Sequence, residues 1–374
     1  MPTGWRDTTH LVQLTGVDGA ALELLKLQDG TTYAQIVGEM NTAIGALNGE
    51  LAADPLISAL VSWTDQPTVD YRVGTANGFE AHTEYGRPDP KRAATEGHML
   101  PLLPYDRALG WTWDYLRKAN MSQVRADIAD AIKDARDLYR VRILTRLLQR
   151  GDDSGVAKGL GSSGYSPGFA TTAASTAVDF VPPAYGGTTF LNTHEHYVGI
   201  SGGAFTAAVF TAAKSTLREH GHEPPYEMII GPSDEAAVRA LTGFVAAPSV
   251  AGVQYANSVS VATVDGLSDS NGNYYIGVLE DFRVRVVRGM PQYYGFAWKS
   301  YGANSQRNPL RIRLAPGQLR PRVVAMPDPR AGSSGAYPLN YLMLFTEFGV
   351  GVADRTNGTA RYVNNATWAD GTPT

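Results

Sequence analysis

Apolar residues recur most regularly between Asn120 and Arg150. Val124, Ile128, Ile132, Ala135, Leu138 and Tyr139 follow one another at short, mostly three- and four-residue steps, and Ile143, Leu144, Leu147 and Leu148 extend the stripe. That period predicts one amphipathic helix. Asn120 or Ser122 suits its start and Gly151 its end. About 28 residues at 1.5 Å rise make a rod of roughly 40 Å. Its other face is charged, through Arg125, Asp127, Asp130, Lys133, Asp134, Arg136, Asp137 and Arg140. Ile128, Ile132 and Leu138 are read as core-facing positions of this helix.

Upstream the pattern changes. Residues 1–17 show no period and read as an extended arm. Residues 18–51 read as one or two helices broken at Gly30-Thr31. Thr68, Val69, Tyr71 and Val73 predict a strand. From Phe79 to Asp106 two alternating arms flank a tip at Arg87-Pro88-Asp89-Pro90-Lys91-Arg92. Proline and charge at a tip mark a turn that cannot continue a ladder. A long hairpin of this kind buries little apolar surface and is rarely stable alone. It is expected to lie on another surface, such as a neighbouring subunit.

Downstream, residues 151–190 are rich in Gly, Ser, Thr and Ala and read as a long loop. Phe205 to His220 predicts a helix, with Phe205, Val209, Phe210, Ala213 and Leu217 on one face. Glu227 to Ile230 predicts a buried strand, and Pro232 to Gly243 a helix capped by Ser233. Asn257 to Arg288 alternates as strands around a turn at Asp269 to Asn273. A Gly/Pro/Arg-rich span, 302–340, reads as connection. Tyr341 to Ala353 closes the series as a strong strand.

Composition narrows the function classes. At 374 residues and 40.1 kDa the chain has room for two or three core-bearing units. A net charge of −4 disfavours a bulk nucleic-acid binder. The absence of cysteine excludes disulfides and thiolate metal sites. No stretch reaches the roughly 18 apolar residues of a membrane span, and Met1 to Gly19 lacks a secretory pattern. A soluble protein made in a cytoplasm is expected.

Three groups of residues invite a chemical reading. His194-Glu195-His196 and His220-Gly221-His222, with Glu219 and Glu223 nearby, are the best metal candidates, since imidazole and carboxylate suit zinc-like ions. Neither pair has the His-Glu-x-x-His spacing that sets two ligands on one helix face. His220 and His222 stand where a helix should end, a place its dipole favours. The expectation is therefore no metal and no cofactor. Gly159 to Gly164 lacks the Lys-Ser/Thr ending of a phosphate loop, and no Gly-x-Ser-x-Gly elbow occurs. Finally, Arg283, Arg285, Arg288, Arg311, Arg313, Arg320 and Arg322 form rows on expected strands. They suit interface ion pairs first, and DNA phosphates second.

The order of these segments resembles the HK97-type major capsid proteins of tailed phages and herpesviruses. The hairpin at 79–104 looks like the family's E-loop and the helix at 120–150 like its spine helix. Phe205 to Leu241 is similar to the helix–strand–helix block of the A-domain. Tyr274 to Phe282, followed by Arg283 to Arg288, looks like its strand pair, and Leu344 to Asp354 like the last P-domain strand. The resemblance implies an α+β HK97-type fold divided as follows: an N-terminal arm and short helical element over 1–66, the E-loop over 67–105, the P-domain over 106–200, the A-domain over 201–335, and the P-domain return with the C-terminus over 336–374.

It further implies a structural, non-enzymatic protein that assembles as hexamers and pentamers into an icosahedral shell around double-stranded DNA. Its partners would be copies of itself, separate scaffolding, portal and decoration proteins, and DNA through weak non-specific contact, with no membrane. Its place would be the virion capsid, assembled in the host cytoplasm. Arg87, Asp89, Lys91, Arg92 and Glu96 at the E-loop tip would then make inter-subunit contacts. Some family members join a tip lysine to a neighbour's asparagine; Lys91, with Asn357, Asn364 or Asn365, would be the residues available, though a solvated lysine is the reading adopted. Two alternatives remain: an encapsulin-like compartment of the same fold, and a metal-dependent hydrolase built on the histidine pairs.

Overall fold

A computed structural model describes residues 26–73, 94–151, 167–169, 194–247, 272–327 and 339–374. The arm at 1–17, the tip at Arg87 to Arg92, most of the loop at 151–190 and most of the turn at Asp269 to Asn273 lie outside the described residues. In chain order the elements are α1 (Tyr33–Ala53), α2 (Pro55–Leu60), β1 (Val61–Thr64), β2 (Thr68–Val73), β3 (Ala94–Met99), β4 (Leu103–Thr112), α3 (Trp113–Lys118) and α4 (Met121–Leu148). They continue with β5 (Tyr197–Gly199), α5 (Ala207–Glu219), β6 (Tyr226–Ile230), α6 (Glu235–Arg239), β7 (Phe244–Ala246), β8 (Tyr274–Leu279) and β9 (Phe282–Val286). The last are β10 (Tyr294–Trp298), β11 (Leu310–Leu314), β12 (Val324–Pro327), β13 (Leu339–Val352) and β14 (Thr359–Tyr362).

The chain divides into two compact units. One holds 1–53, 104–139 and 320–347; the other holds 54–103, 140–319 and 348–374. In the first, α1 buries Ile36, Met40, Ile44, Leu47 and Leu51, a stripe at three- and four-residue steps. α1 and the first part of α4 run side by side in the same direction. Arg125 grips Glu39 through two contacts of 2.7 Å, and Arg136 reaches Glu50 at 2.5 Å. Both partners advance by eleven residues, three helical turns, which only parallel helices allow. These pairs are largely exposed and fix alignment more than they stabilise. Asn48 adds a two-way link to the backbone of Val323, at 2.8 and 3.0 Å.

The second unit is built on a seven-stranded sheet in the order β5-β14-β10-β6-β9-β8-β7. β6 is parallel to β9, β14 is parallel to β5, and the other pairings are antiparallel. Every residue of β6 and of β10 is buried, as central strands covered on both faces require. α5 lays Val209, Phe210, Ala213 and Leu217, with Phe205 just before it, against Tyr226, Met228, Phe282 and Val284 of this sheet. In the same unit β1 runs parallel to β11, and β11 is antiparallel to Phe348–Val352 of β13. α2 starts on Asp54, whose carboxylate accepts from the amides of Leu56 and Ile57 at 2.8 and 2.9 Å.

Several sequence expectations need correction. The span 302–340 is not mere connection, for it contains β11 and β12. The Leu-Arg-Ile-Arg-Leu alternation of β11, a strand expected from the Arg311–Arg313 row, buries Leu310, Ile312 and Leu314. The helix expected over Pro232 to Gly243 is a 3₁₀ turn, Pro232–Asp234, followed by five-residue α6. Asp234 accepts from the amide of Tyr293 at 2.9 Å instead of capping the helix. β1, β10 and β14 had not been anticipated.

Candidate assembly surfaces and a histidine cluster

β2 and β3 pair only with each other among the described strands, in register from Thr68 with Met99 to Val73 with Ala94. Glu96 stands in β3 opposite Tyr71. The foot of this hairpin is tied down. Leu100 is fully buried and its amide donates to the Pro67 carbonyl at 2.8 Å. Arg313 donates to the Leu100 carbonyl at 2.9 Å. His98 meets the Val352 carbonyl at 2.9 Å. Gly349 of β13 lies so close to the Pro101 carbonyl that a Cβ there would collide with backbone. The foot is anchored by the Leu100 side chain and by polar contacts to β11 and β13.

His98 carries a consequence for pH. Burial, aided by the positive charges of Arg355, Arg146 and Arg311, pushes its imidazole down from the usual 6.5 to about 3, against the opposing pull of the Val352 carbonyl. Such a group supplies stability above the unfolded value near 6.5 and loses it as pH falls toward about 3. Below about 6.5 the unfolded chain binds a proton that the folded chain does not. Each further unit therefore costs about 1.4 kcal/mol at most. His98→Gln keeps a donor for Val352 and cannot titrate. Urea unfolding between pH 7 and 5 is expected to show a shallower acid loss in the variant, by about 2 kcal/mol over that range. Equal slopes would refute a buried neutral His98.

The long helix occupies residues 121–148. Its buried seam runs through Met121, Val124, Ile128 and Ala131, then Tyr139, Ile143, Leu144, Leu147 and Leu148. Ile128 is 5% exposed, whereas Ile132 and Leu138 are half-buried at the edge of the seam. Tyr139, buried, shares a 2.8 Å hydrogen bond with Thr346.

Four arginines of the rows, Arg283, Arg285, Arg311 and Arg313, are engaged within the chain. Arg285 and Arg283 both approach Glu227, at 3.3 and 3.7 Å, from the neighbouring parallel strand. Burial raises the Glu227 carboxyl, and the two guanidinium groups oppose that rise. Arg311 bonds the Ser62 hydroxyl and the Gln306 carbonyl, and Arg313 the Leu100 carbonyl. Arg288 has an exposed side chain, and Arg283 is about half exposed. Of the asparagines, Asn357 is fully buried and spends its amide on Lys299 and Arg307 backbone, while Asn364 and Asn365 are exposed.

The histidines are the residues that folding draws together. His194 and His196 precede β5, and His220 closes α5. Their Nε2 atoms form a triangle with sides of 3.1, 3.0 and 2.9 Å. Glu195, between the first two, instead pairs with Arg150 at 2.7 Å. His196 is fully buried, and its Nδ1 donates to the Gly358 carbonyl at 2.6 Å. Gly358 must be glycine here, because a Cβ would meet the rings of Phe296 and Phe169 at 2.6 and 2.7 Å. Burial lowers all three imidazoles, His220 to about 3, with Glu219 opposing the effect at His194. His222 turns away, held by Tyr301 at 2.8 Å and Thr356 at 3.0 Å. Sequence spacing had ranked the two pairs alike and had not separated His222 from the other three.

Over nearly its whole length the chain superimposes on a solved structure from Mycobacterium phage Patience, with 20% identity, 93% of each chain covered and a TM-score of 0.62. The chain has the HK97-type fold. Weaker likenesses are to the capsid of an empty GTA particle, at 15% identity, 84% of this chain, 90% of that one and a TM-score of 0.46. The mature capsid of bacteriophage PhiM1 follows at 10%, 83%, 87% and 0.43. No protein-family model and no curated protein matches the sequence. Residues 121–148 form the long helix α4, and Thr68–Val73 with Ala94–Met99 form the two-stranded β2–β3 ladder. No helix among the described residues is long and apolar enough to cross a membrane.

Proposed function

We propose that this protein is the major capsid protein of a tailed phage, a structural subunit that assembles as hexamers and pentamers into an icosahedral shell. The observation that carries this reading is the shared fold covering 93% of both chains. The anatomy agrees with it. A two-stranded hairpin that pairs with no other described strand but is rooted at its foot is suited to reach a neighbour. α4 is long enough, at 28 residues, to stiffen a subunit. In this reading 67–105 forms the E-loop, 106–200 and 336–374 the P-domain, and 201–335 the A-domain. Arg87, Asp89, Lys91, Arg92 and Glu96 contact the adjacent subunit, and the shell encloses double-stranded DNA, with scaffolding and portal proteins as partners. The exposed Arg288, Arg320 and Arg322 and the part-exposed Arg283 are the residues of the arginine rows best placed for such contacts.

The test is electron microscopy of the expressed full chain, alone and with its scaffolding protein. Closed particles or capsomer rings are expected. A chain that stays a monomer in both conditions overturns the proposal. Particles that contain a protein cargo rather than DNA when isolated from infected cells would favour the encapsulin-like alternative.

A further inference from the structure

We propose that His194, His196 and His220 form a binding site for one divalent transition-metal ion of the zinc class, which ties the C-terminal end of α5 to the β5–β14 edge of the seven-stranded sheet.

The first argument is the hydrogen bookkeeping of the triangle. Three Nε2 atoms stand 2.9–3.1 Å from one another. Each carries either a proton or a lone pair. With three atoms and two kinds, at least two are alike, so at least one edge of the triangle cannot be a hydrogen bond. Three lone pairs directed at one cation leave no such conflict.

The second argument is the tautomer. A backbone carbonyl only accepts, so the 2.6 Å contact with Gly358 places a proton on Nδ1 of His196. In the neutral ring Nε2 then holds the lone pair. A ligating imidazole whose second nitrogen donates to a carbonyl is the usual outer support of a metal site. The support is itself built in, since Gly358 can bring its carbonyl there only because it lacks a side chain.

The third argument is size. Zinc–imidazole bonds are about 2.0–2.1 Å. An ion at that distance from all three nitrogens sits about 1 Å out of their plane, with N–ion–N angles of roughly 95°. That lies between octahedral and tetrahedral values, and a small opening of the triangle reaches the latter. His194 and His220 are only partly buried, so solvent can complete the coordination. Imidazole donors favour zinc, copper, nickel or cobalt over magnesium or calcium.

The ion would be structural. His194 and His196 are 26 and 24 residues from His220 in sequence, and they enter the sheet through β5, a three-residue edge strand. Joining them through one ion fastens that short edge to α5. This inference is independent of the capsid reading; either can fail without the other.

The experiment uses the full-length chain, stripped with chelator and then titrated with cobalt(II), with zinc(II) as competitor. Expected are ligand-field bands saturating at one cobalt per chain, their loss on adding zinc, and a thermal unfolding midpoint that rises with metal concentration. His194→Gln and His220→Gln should each weaken binding by more than about a hundredfold, beyond the loss typical of an outer support. His222→Gln should bind as the unaltered chain does, because Tyr301 and Thr356 already hold that ring elsewhere. Absence of saturable cobalt bands in the unaltered chain overturns the proposal, even if a variant misfolds. So does binding that survives His220→Gln unchanged.

Discussion

Removing Arg87 to Arg92 leaves a soluble, folded subunit that no longer closes shells: this is the expected result of the deletion most specific to the proposed function. The residues that root the hairpin all lie outside the cut. The β2–β3 ladder runs from Thr68–Met99 to Val73–Ala94. Leu100 is buried, His98 binds the Val352 carbonyl, and Arg313 of β11 donates to the Leu100 carbonyl. The segment joining the strands spans 74–93, so a six-residue deletion still leaves a bridging loop. Changing loop length in this range alters closure entropy by well under about 1 kcal/mol. What is lost is three cationic residues, one carboxylate and two prolines, the groups to which the proposed function assigns contacts with a partner. Circular dichroism and urea unfolding should match the unaltered chain, while microscopy shows no closed particles. Normal-sized shells in normal yield would remove the tip from assembly and leave the E-loop reading without support.

The second large effect is expected inside the long helix. Ile128→Asp should abolish soluble subunit. Ile128 is 5% exposed. Its side chain contributes about 1.5–3 kcal/mol by burial. An unpaired carboxylate in its place adds several kcal/mol more. Together these approach the whole margin of a domain, about 5–15 kcal/mol. Ile128→Val is the control and should cost only about 0.5–1.5 kcal/mol. Ile132→Asp should be the milder of the two aspartates, because half-exposed Ile132 lets the carboxylate keep part of its water. Soluble yield and urea midpoints decide between them. The reverse order of severity would mean that the seam of α4 runs through Ile132.

How much of this was legible beforehand depended on the range of the interactions involved. α4 was read closely, 120–150 against 121–148, because apolar period is a local property of consecutive residues. β6 and β13 were likewise found from runs of apolar residues within a few positions of one another. The phase of the helix was not found. Stepping from Ile128 by three to Ala131 or by four to Ile132 fits a 3.6-residue period equally well, and only the neighbours packed on α4 choose Ala131. β1 escaped notice for a related reason. β1 is four residues long and pairs parallel with a strand some 250 positions away, so nothing near it in sequence marks it.

The amino-acid sequence by itself determined the long helix α4, the buried strand β6, the closing strand β13 and the lack of any thiol chemistry. All of these follow from side-chain type and spacing along the chain. Only the tertiary structure decided which polar groups meet. Arg283 and Arg285, read as facing another subunit or DNA, are drawn to Glu227 because β9 pairs with β6 in a register that sets Arg283 opposite Glu227. Two histidine pairs that looked equivalent were separated by the way α5 ends: its last turn delivers His220 to His194 and His196, and carries His222 on to Tyr301. Burial and long-range pairing set these contacts, and a side chain's position in space is the sum of every backbone angle between it and its partner. Spacing read over a few residues cannot supply that sum.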